Sequence, residues 1–202
     1  SMGIGTPSKL GLAVQIAAAL GYVALSALDR VAIFPVAESL GTGLGPLRGK
    51  SRIQNVFNLL AALRPSGQTS FTDAASQLLT RHRRRGVVVM LSDFLFATGY
   101  HETINRLRYG RFKPVVVQIT SPQEADPTLG GDVVLVDAES GAHREVTVTA
   151  AVRAAYRMNF ANRRSALDRF CRQHAVPCFQ VPSTCPFEDL VLRMFRSGGV
   201  LS

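Results

Sequence analysis

The chain lacks tryptophan and is poor in cysteine and lysine. Its 202 residues include three cysteines, Cys171, Cys178 and Cys185, and no Cys-x-x-Cys pair. An odd number of dispersed cysteines argues against a disulfide framework and indicates a reducing compartment. We interpret the three as small apolar side chains that pack in the core, rather than as metal ligands.

Common signatures of catalysis are also missing. The sequence contains no Gly-x-Ser-x-Gly elbow and no His-Glu-x-x-His motif, and its four histidines are scattered singly. Residues 45–51 resemble a phosphate-binding loop, but three residues rather than four separate the glycines, and Pro46 lacks a backbone N–H. A nucleotide-dependent hydrolase that uses residues 41–51 is therefore the weaker alternative, and we predict that the protein is not an enzyme.

Basic charge is in excess. The formal net charge is +9, and 20 of the 23 basic residues are arginine. Arginine favours paired, hydrogen-bonded cations, and its dispersal along the chain favours an acidic protein partner. Only residues 81–85 are densely basic, and these are expected to end a helix, where cations stabilise exposed carbonyls. They lack interleaved aromatic residues, so a nucleic-acid-binding protein is the runner-up.

Residues 10–28 carry no charge and are long enough for a membrane span. Their apolar character is modest, because alanine and glycine dominate and Gln15, Tyr22 and Ser26 interrupt them. We therefore predict a buried core helix that begins at Pro7-Ser8 and ends near Leu28. With no recognisable signal peptide, we expect no membrane span and a cytoplasmic protein.

Helical and strand patterns alternate along the chain, which indicates an α/β fold with a mainly parallel, open sheet. We predict one domain over residues 1–202, with a β-hairpin inserted at about 126–149. The predicted strands are 31–36, 87–91, 115–119 and 178–181, with 133–136 and 145–148 in the hairpin. The predicted helices after the first are 53–63, 72–85, 102–109, 150–174 and 187–195, and residues 41–49 are expected to form a glycine-rich loop.

Two polar segments are expected at the carboxyl edge of this sheet. Asp93 ends an apolar strand, and ligands of open parallel sheets bind beyond the carboxyl ends of the strands. Thr69 lies in the loop before a helix, where its hydroxyl can point to the same edge. Such oxygen ligands suit Mg²⁺ and leave a position for a partner's carboxylate. The spacing alone equally allows Thr69 to cap a helix and Asp93 to cap a turn.

Read in order, these residues resemble the von Willebrand factor A fold as it occurs in the bacterial "domain of unknown function 58" family. The resemblance rests on Gly67-Gln-Thr-Ser-Phe-Thr-Asp73 and Ser92-Asp93-Phe94, together with residues 1–9, 28–31, 121–124 and 136–141. It implies a three-layer Rossmann-type fold and a non-enzymatic adaptor for a MoxR-type AAA+ ATPase.

The resemblance also implies a partial metal-ion-dependent adhesion site. Its metal ligands would be Ser1, Thr69 and Asp93, and Mg²⁺ would bind in the complete protein rather than in this chain. The partner would supply an acidic group to the metal ion. Where the family often has Asp-Pro-x-Glu, this sequence has Ser121-Pro-Gln-Glu124.

In the fold that the resemblance implies, the first strand is central and the order is 3-2-1-4-5-6. We expect that strand to lie upstream of Ser1. The sheet of this chain should then be interrupted between the strands at Val31 and Val87, because a missing central strand leaves backbone groups unpaired. Another segment or a second copy would fill the gap, so a homodimer is an open alternative.

Overall fold

The computed structural model describes residues 8–64, 69–82, 84–95, 99–136 and 143–196. These residues form helices α1 to α7 at Lys9–Ser26, Ile53–Ala62, Phe71–Arg81, Tyr100–Tyr109, Pro122–Ala125, Ala150–Gln173 and Phe187–Arg196. Strands β1 to β7 are Arg30–Ile33, Leu44–Arg48, Val87–Ser92, Lys113–Thr120, Gly131–Val136, His143–Val148 and Cys178–Pro182. The α/β class predicted from the alternating patterns is confirmed.

A three-stranded parallel sheet in the order β3-β4-β7 forms the centre of the fold. In β4, Val115, Val117 and Ile119 enter one apolar core, and Val116 enters the other. This alternation arises because successive side chains of a strand point to opposite faces. Both faces are therefore covered, which explains the continuous apolar runs of β3 and β4.

Helices cover the sheet on its two faces. The core on one face includes buried residues of α1 and α7, among them Ile16 and Leu190. The core on the other face includes residues of α3, α4 and α6, among them Ile104 and Leu167. The parallel sheet is thus the middle of three layers, and the ends of its strands lie at the two edges of the sheet between the helix layers.

Residues 41–49 do not form the predicted glycine-rich loop. They contain β2, which pairs with β1 in a separate antiparallel sheet. Gly43 permits this hairpin, because a Cβ atom there would lie 2.1 Å from the carbonyl oxygen of Ile33. Residues 44–48, which make up much of the segment that resembles a phosphate-binding loop, are therefore a paired strand.

Strands β1 and β3 belong to different sheets. Among the described residues, β1 pairs with β2 alone and β3 pairs with β4 alone, so no strand joins the two sheets. The continuous sheet that would have contradicted the expected gap is therefore not formed within the described part of the chain. Strand β1, which corresponds to the strand predicted at residues 31–36, ends earlier than predicted, at Ile33 rather than Val36.

The predicted first helix corresponds to α1, with Ser8 as its N-cap: the Ser8 hydroxyl accepts a hydrogen bond of 3.0 Å from the Gly11 amide. By length and composition, α1 is the one helix of the described residues that could cross a membrane, with a mean hydropathy of 1.5. In the structure it packs against β1, β4, α2 and α7. Leu12, Ile16 and Leu25 are buried there.

The predicted helix at 72–85 is shorter than expected. Helix α3 begins one residue earlier, with Ser70 rather than Thr72-Asp73 as its cap, and ends at Arg81. Arg84 and Arg85 are exposed beyond the helix, so they do not stabilise its end, and position 83 lies outside the described residues. The two predicted hairpin strands are observed as β5 and β6, which pair antiparallel, and residues 137–142 lie outside the described residues.

Candidate functional site

The parallel strands β3, β4 and β7 end at one side of the sheet, which we call the carboxyl edge. Polar residues at or near this edge are nevertheless no more than 8% exposed: Ser92, Asp93, Gln118, Thr120, Ser121 and Ser183. Buried polar groups are costly unless they are paired. A concentration of them at the strand ends therefore identifies the carboxyl edge as the candidate site.

Lys9 lies at the centre of this site. It is fully buried, and its Nζ atom donates hydrogen bonds to Asp93 Oδ2, at 2.8 Å, and to Glu124 Oε1. Lys9 is the first residue of α1, where the helix dipole disfavours a cation by about 0.3–1 kcal/mol. The two carboxylates compensate for that position. We call Lys9, Asp93 and Glu124 the ion-pair cluster.

The backbone around the two carboxylates holds them in place. The amide of Leu95 donates to Asp93 Oδ1 at 3.4 Å, and the side chain of Gln118 donates to the Asp93 carbonyl at 2.9 Å. Glu124 belongs to a capping box at α5: its Oε2 accepts from the Ser121 amide at 2.9 Å, and its own amide donates to Ser121 Oγ at 3.1 Å. Each carboxylate thus presents one oxygen to Lys9 and uses the other to order a loop.

Phe94 marks backbone strain beside the cluster. Its φ is +51°, in the left-handed region that bulky residues rarely adopt, and its ring is buried and stacks on Phe71. The Phe94 amide donates to the Ser92 hydroxyl at 3.1 Å. Strain of this kind persists where the surroundings fix the backbone, and it is frequent at functional sites.

Electrostatics favour the charged form of Lys9. Burial lowers its pKa, but the hydrogen bonds and charges of Asp93 and Glu124 outweigh that effect, so the pKa is raised above 10.5. The cluster contains one cation and two carboxylates, which leaves a formal charge of −1. Removing one partner of such a buried group would leave an uncompensated charge.

Helix α6 adds a basic rim to the carboxyl edge. Arg163 Nη1 donates to the Leu95 carbonyl at 3.2 Å, and Arg157 Nη1 lies 3.2 Å from Asp126 Oδ1. The pKa of Tyr156 is raised, chiefly by burial and then by the charge of Glu124, while the charges of Arg163 and Lys9 oppose the rise. The Tyr156 phenol therefore lies within electrostatic range of Glu124, Arg163 and Lys9. The exposed guanidinium groups therefore lie beside the loops that carry Asp93 and Glu124.

Ser183 is a buried hydroxyl at the same edge. Its amide donates to the Thr120 carbonyl at 2.7 Å, directly after β7. Its Oγ atom is buried and has no hydrogen-bond partner among the described residues. An unsatisfied buried polar group costs about 1–3 kcal/mol, so a bound water or ligand at this position would be stabilised.

Of the three predicted metal ligands, Thr69 and Asp93 lie within the described residues and Ser1 does not. Asp93 lies at the carboxyl edge, as expected, but its carboxylate is paired with Lys9. Thr69 is exposed in the segment before α3, and its side chain makes no hydrogen bond within the described part of the chain. The cap of α3 is Ser70 rather than Thr69. Ser1 lies outside the described residues.

The described residues do not fit a divalent ion at Asp93 as they are arranged. The oxygen of Asp93 that faces the cluster already binds an ammonium group. Even two unit positive charges repel by about 4 kcal/mol at 4 Å and an effective dielectric constant of about 20, so the Lys9 ammonium group disfavours a divalent ion beside it.

Lys9 and Glu124 were not predicted as site residues. The Ser-x-x-Glu spacing of residues 121–124 is a capping-box signal that the sequence does contain. No comparable signal marks Lys9, because its partners are 84 and 115 positions away. Their meeting depends on how α1 is placed against β3 and β4.

Two of the three cysteines lie close together, which their spacing in the sequence did not predict. Cys171, in the last turn of α6, is buried, and its thiol interacts with that of Cys178, the first residue of β7. This contact and burial raise the pKa of Cys171, and the same contact lowers that of Cys178. Both thiols are free and pack in the core that contains Met90 and Val116, so their role as small core residues is consistent with the structure.

A parallel sheet between helix layers, with a polar cluster at its carboxyl edge, defines a protein of the open-sheet α/β class. Within that class, the chain belongs to the family described as "Protein of unknown function DUF58", whose model matches residues 1–166. Relatives include the uncharacterized protein Rv1480 of Mycobacterium tuberculosis strain H37Rv, 27% identical over 182 residues. That match covers 88% of this chain and 57% of the relative, so the chain spans little more than half the relative's length.

Other similarities agree with the family and the fold. The uncharacterized protein MAV169 of Mycobacterium avium is 31% identical over 124 residues, which cover 61% of this chain and 73% of that protein. A solved structure described as the conserved hypothetical protein BatB from Bacteroides thetaiotaomicron has a TM-score of 0.52 and 12% identity. An aerotolerance-related membrane protein from Bacteroides fragilis has a TM-score of 0.55 and 13% identity. Each structural match covers 95% of this chain and 89% of the other, and it supports the fold alone.

Proposed function

We propose that the protein is a non-enzymatic interaction module of the von Willebrand factor A type, which binds an acidic group of a partner protein at the carboxyl edge. The observation that carries this proposal is the hydrogen bond from Arg163 to the loop after β3. It holds a basic helix beside the strand ends, where open sheets bind ligands. The partner suggested by the family resemblance is a MoxR-type AAA+ ATPase.

The chemistry of the rim suits a carboxylate. A guanidinium group presents parallel N–H donors to the two oxygens of a carboxylate, and such charge-assisted pairs are strong and directional. The Arg157 side chain is 52% exposed and Arg163 is exposed as well, so both can bind a partner. The net charge of +9 further favours encounter with an acidic surface.

In this proposal the arginine rim, rather than a metal ion, contacts the acidic group. A role for Mg²⁺ with Thr69 and Asp93 in a longer chain would require Lys9 to leave Asp93. A cytoplasmic location and a homodimer both remain part of the proposal. The description of the Bacteroides fragilis protein as membrane-related and aerotolerance-related belongs to that protein.

Titration calorimetry with a purified MoxR-type ATPase tests the proposal. The double variant Arg157→Ala/Arg163→Ala should weaken binding by at least about tenfold, because each charged hydrogen bond contributes about 1.5–3 kcal/mol. The matched control is Arg169→Ala/Arg172→Ala, which removes the same charge from the other end of α6, where Arg172 pairs with Asp168. Equal losses in the two variants would reject a specific site, and absence of binding by the wild type would reject the partner.

Polyanion binding by the basic segment is a second candidate. Three arginines of this segment are exposed: Arg81, Arg84 and Arg85. Arg84 and Arg85 lie beyond the end of α3, so they do not act as charges at the helix terminus. Electrostatic binding to nucleic acid weakens steeply with salt. Measurable affinity for single- or double-stranded DNA or RNA at about 0.15 M salt, lost on Arg84→Ala/Arg85→Ala, would favour this function over the first.

A further inference from the structure

We infer that the carboxyl edge carries its own cation: the Lys9 ammonium group occupies the position that a divalent ion would take between Asp93 and Glu124. The site therefore works without a divalent metal ion. A neutral residue at position 9 would turn the two carboxylates into a divalent-cation site. This inference goes beyond the proposed function and is independent of which partner binds.

The geometry converges on one point from three elements. Lys9 comes from the start of α1, Asp93 from the end of β3, and Glu124 from α5, directly after β4. Oxygens of both carboxylates lie within hydrogen-bonding distance of the single Nζ atom, and the Lys9 side chain has no exposed surface. Carboxylate oxygens are ligands that hard divalent cations prefer, and one or two carboxylates together with waters commonly hold Mg²⁺.

Charge explains why the ammonium group excludes a metal ion. With Lys9 present, the two carboxylates share one cation, and an added divalent ion would face that cation at close range. When a neutral residue replaces Lys9, the two negative charges of Asp93 and Glu124 remain in a largely buried place, and they need a proton or a cation. The carboxylates stay oriented in either case, because Leu95 and Ser121 donate to their outer oxygens.

The distances also predict which ions would enter. The Lys9 nitrogen lies 2.8 Å from Asp93 Oδ2, whereas Mg²⁺ binds oxygen at about 2.0–2.1 Å and Ca²⁺ at about 2.3–2.6 Å. The larger ion thus requires less inward movement of the loops. Water would complete the coordination sphere in the space vacated by the ammonium group.

Mn²⁺ binding followed by electron paramagnetic resonance is the test. Lys9→Met should bind one Mn²⁺ per chain at least about tenfold more tightly than the wild type, and Ca²⁺ should compete. The matched control is Lys113→Met, since Lys113 is an exposed lysine at the opposite end of the same sheet. The triple variant Lys9→Met/Asp93→Asn/Glu124→Gln should lose the gained site.

Nitrogen-detected NMR of the wild type tests the inference even if Lys9→Met does not fold. The chain has three lysines, so the buried ammonium signal can be assigned by substitution of the other two. Its shift should be the same in EDTA and in millimolar Mg²⁺. A shift that saturates with Mg²⁺, or a folded Lys9→Met variant that binds Mn²⁺ no better than the wild type, would overturn the inference.

Discussion

The Nζ atom of Lys9 lies 2.8 Å from Oδ2 of Asp93, although 84 positions separate the two residues in the sequence. This ion pair joins the start of α1 to the end of the parallel strand β3. It fixes the helix against the carboxyl edge and neutralises a carboxylate that would otherwise be nearly buried and unpaired. The stability of the protein and the chemistry of its candidate site are therefore linked through one lysine.

Lys9→Met should destabilise the protein by about 3–5 kcal/mol, because it leaves Asp93 and Glu124 without their cation. The free energy of unfolding in urea measures this loss. Lys113→Met, at an exposed position, should change the free energy by no more than about 0.5 kcal/mol. A similar small effect for both variants would mean that the ion-pair cluster does not stabilise the fold.

The same lysine should make stability sensitive to alkaline pH. Because its folded pKa is raised above 10.5, its contribution is fully present below that pH and is lost as the pH rises through the folded pKa. The free energy of unfolding between about pH 9 and 12 should fall more steeply for the wild type than for Lys9→Met. Parallel curves would contradict a charged, paired Lys9.

A hydrogen-bonded pair of glutamines supports the backbone carbonyl of Asp93. Gln180 Nε2 donates to Gln118 Oε1 at 2.8 Å, and Gln118 in turn donates to the Asp93 carbonyl. Gln118→Leu should cost about 1–3 kcal/mol, since Gln118 is 2% exposed and its partners lose their bonds. In a double-mutant cycle with Gln180→Leu, the combined loss should be smaller than the sum; strict additivity would show that the two side chains act independently.

The thiols should differ in reactivity. Cys171 has no exposed surface and its pKa is raised, whereas Cys178 and Cys185 are half-buried and the pKa of Cys178 is lowered. A thiol reagent such as Ellman's reagent should leave Cys171 unmodified until the protein is unfolded. Mass spectrometry of the modified peptides identifies the order, and rapid native-state labelling of Cys171 would contradict its burial.

The elements predicted best are those whose sequence patterns are set locally or by burial on both faces. Strands β3 and β4 follow from their apolar runs, and Asp93 was found because the end of such a strand is where ligands bind. Strand β2 was missed because Gly43 and Pro46 are typical of loops, whereas its pairing with β1 is a tertiary contact. The end of α3 differs from the predicted one because consecutive arginines before a glycine are typical of a helix terminus, whereas the helix ends at Arg81.

The site was predicted only in part, for a similar reason. A strand end predicts where a carboxylate lies but not which cation it meets. Lys9 meets Asp93 and Glu124 because α1 packs beside β4, and that packing depends on apolar contacts such as those of Ile16 rather than on the lysine itself. The metal-ligand pattern implied by the resemblance therefore predicted the position of Asp93 and missed its partner.

The most direct test of the cation assignment is a crystal structure of the wild-type protein grown with MnCl₂, with anomalous data collected at the manganese edge. We expect no anomalous peak at Asp93, and a Lys9 ammonium group within hydrogen-bonding distance of both Asp93 and Glu124. A manganese peak bonded to the Asp93 carboxylate, with Lys9 turned away from it, would show that a metal ion rather than Lys9 is the cation of the site.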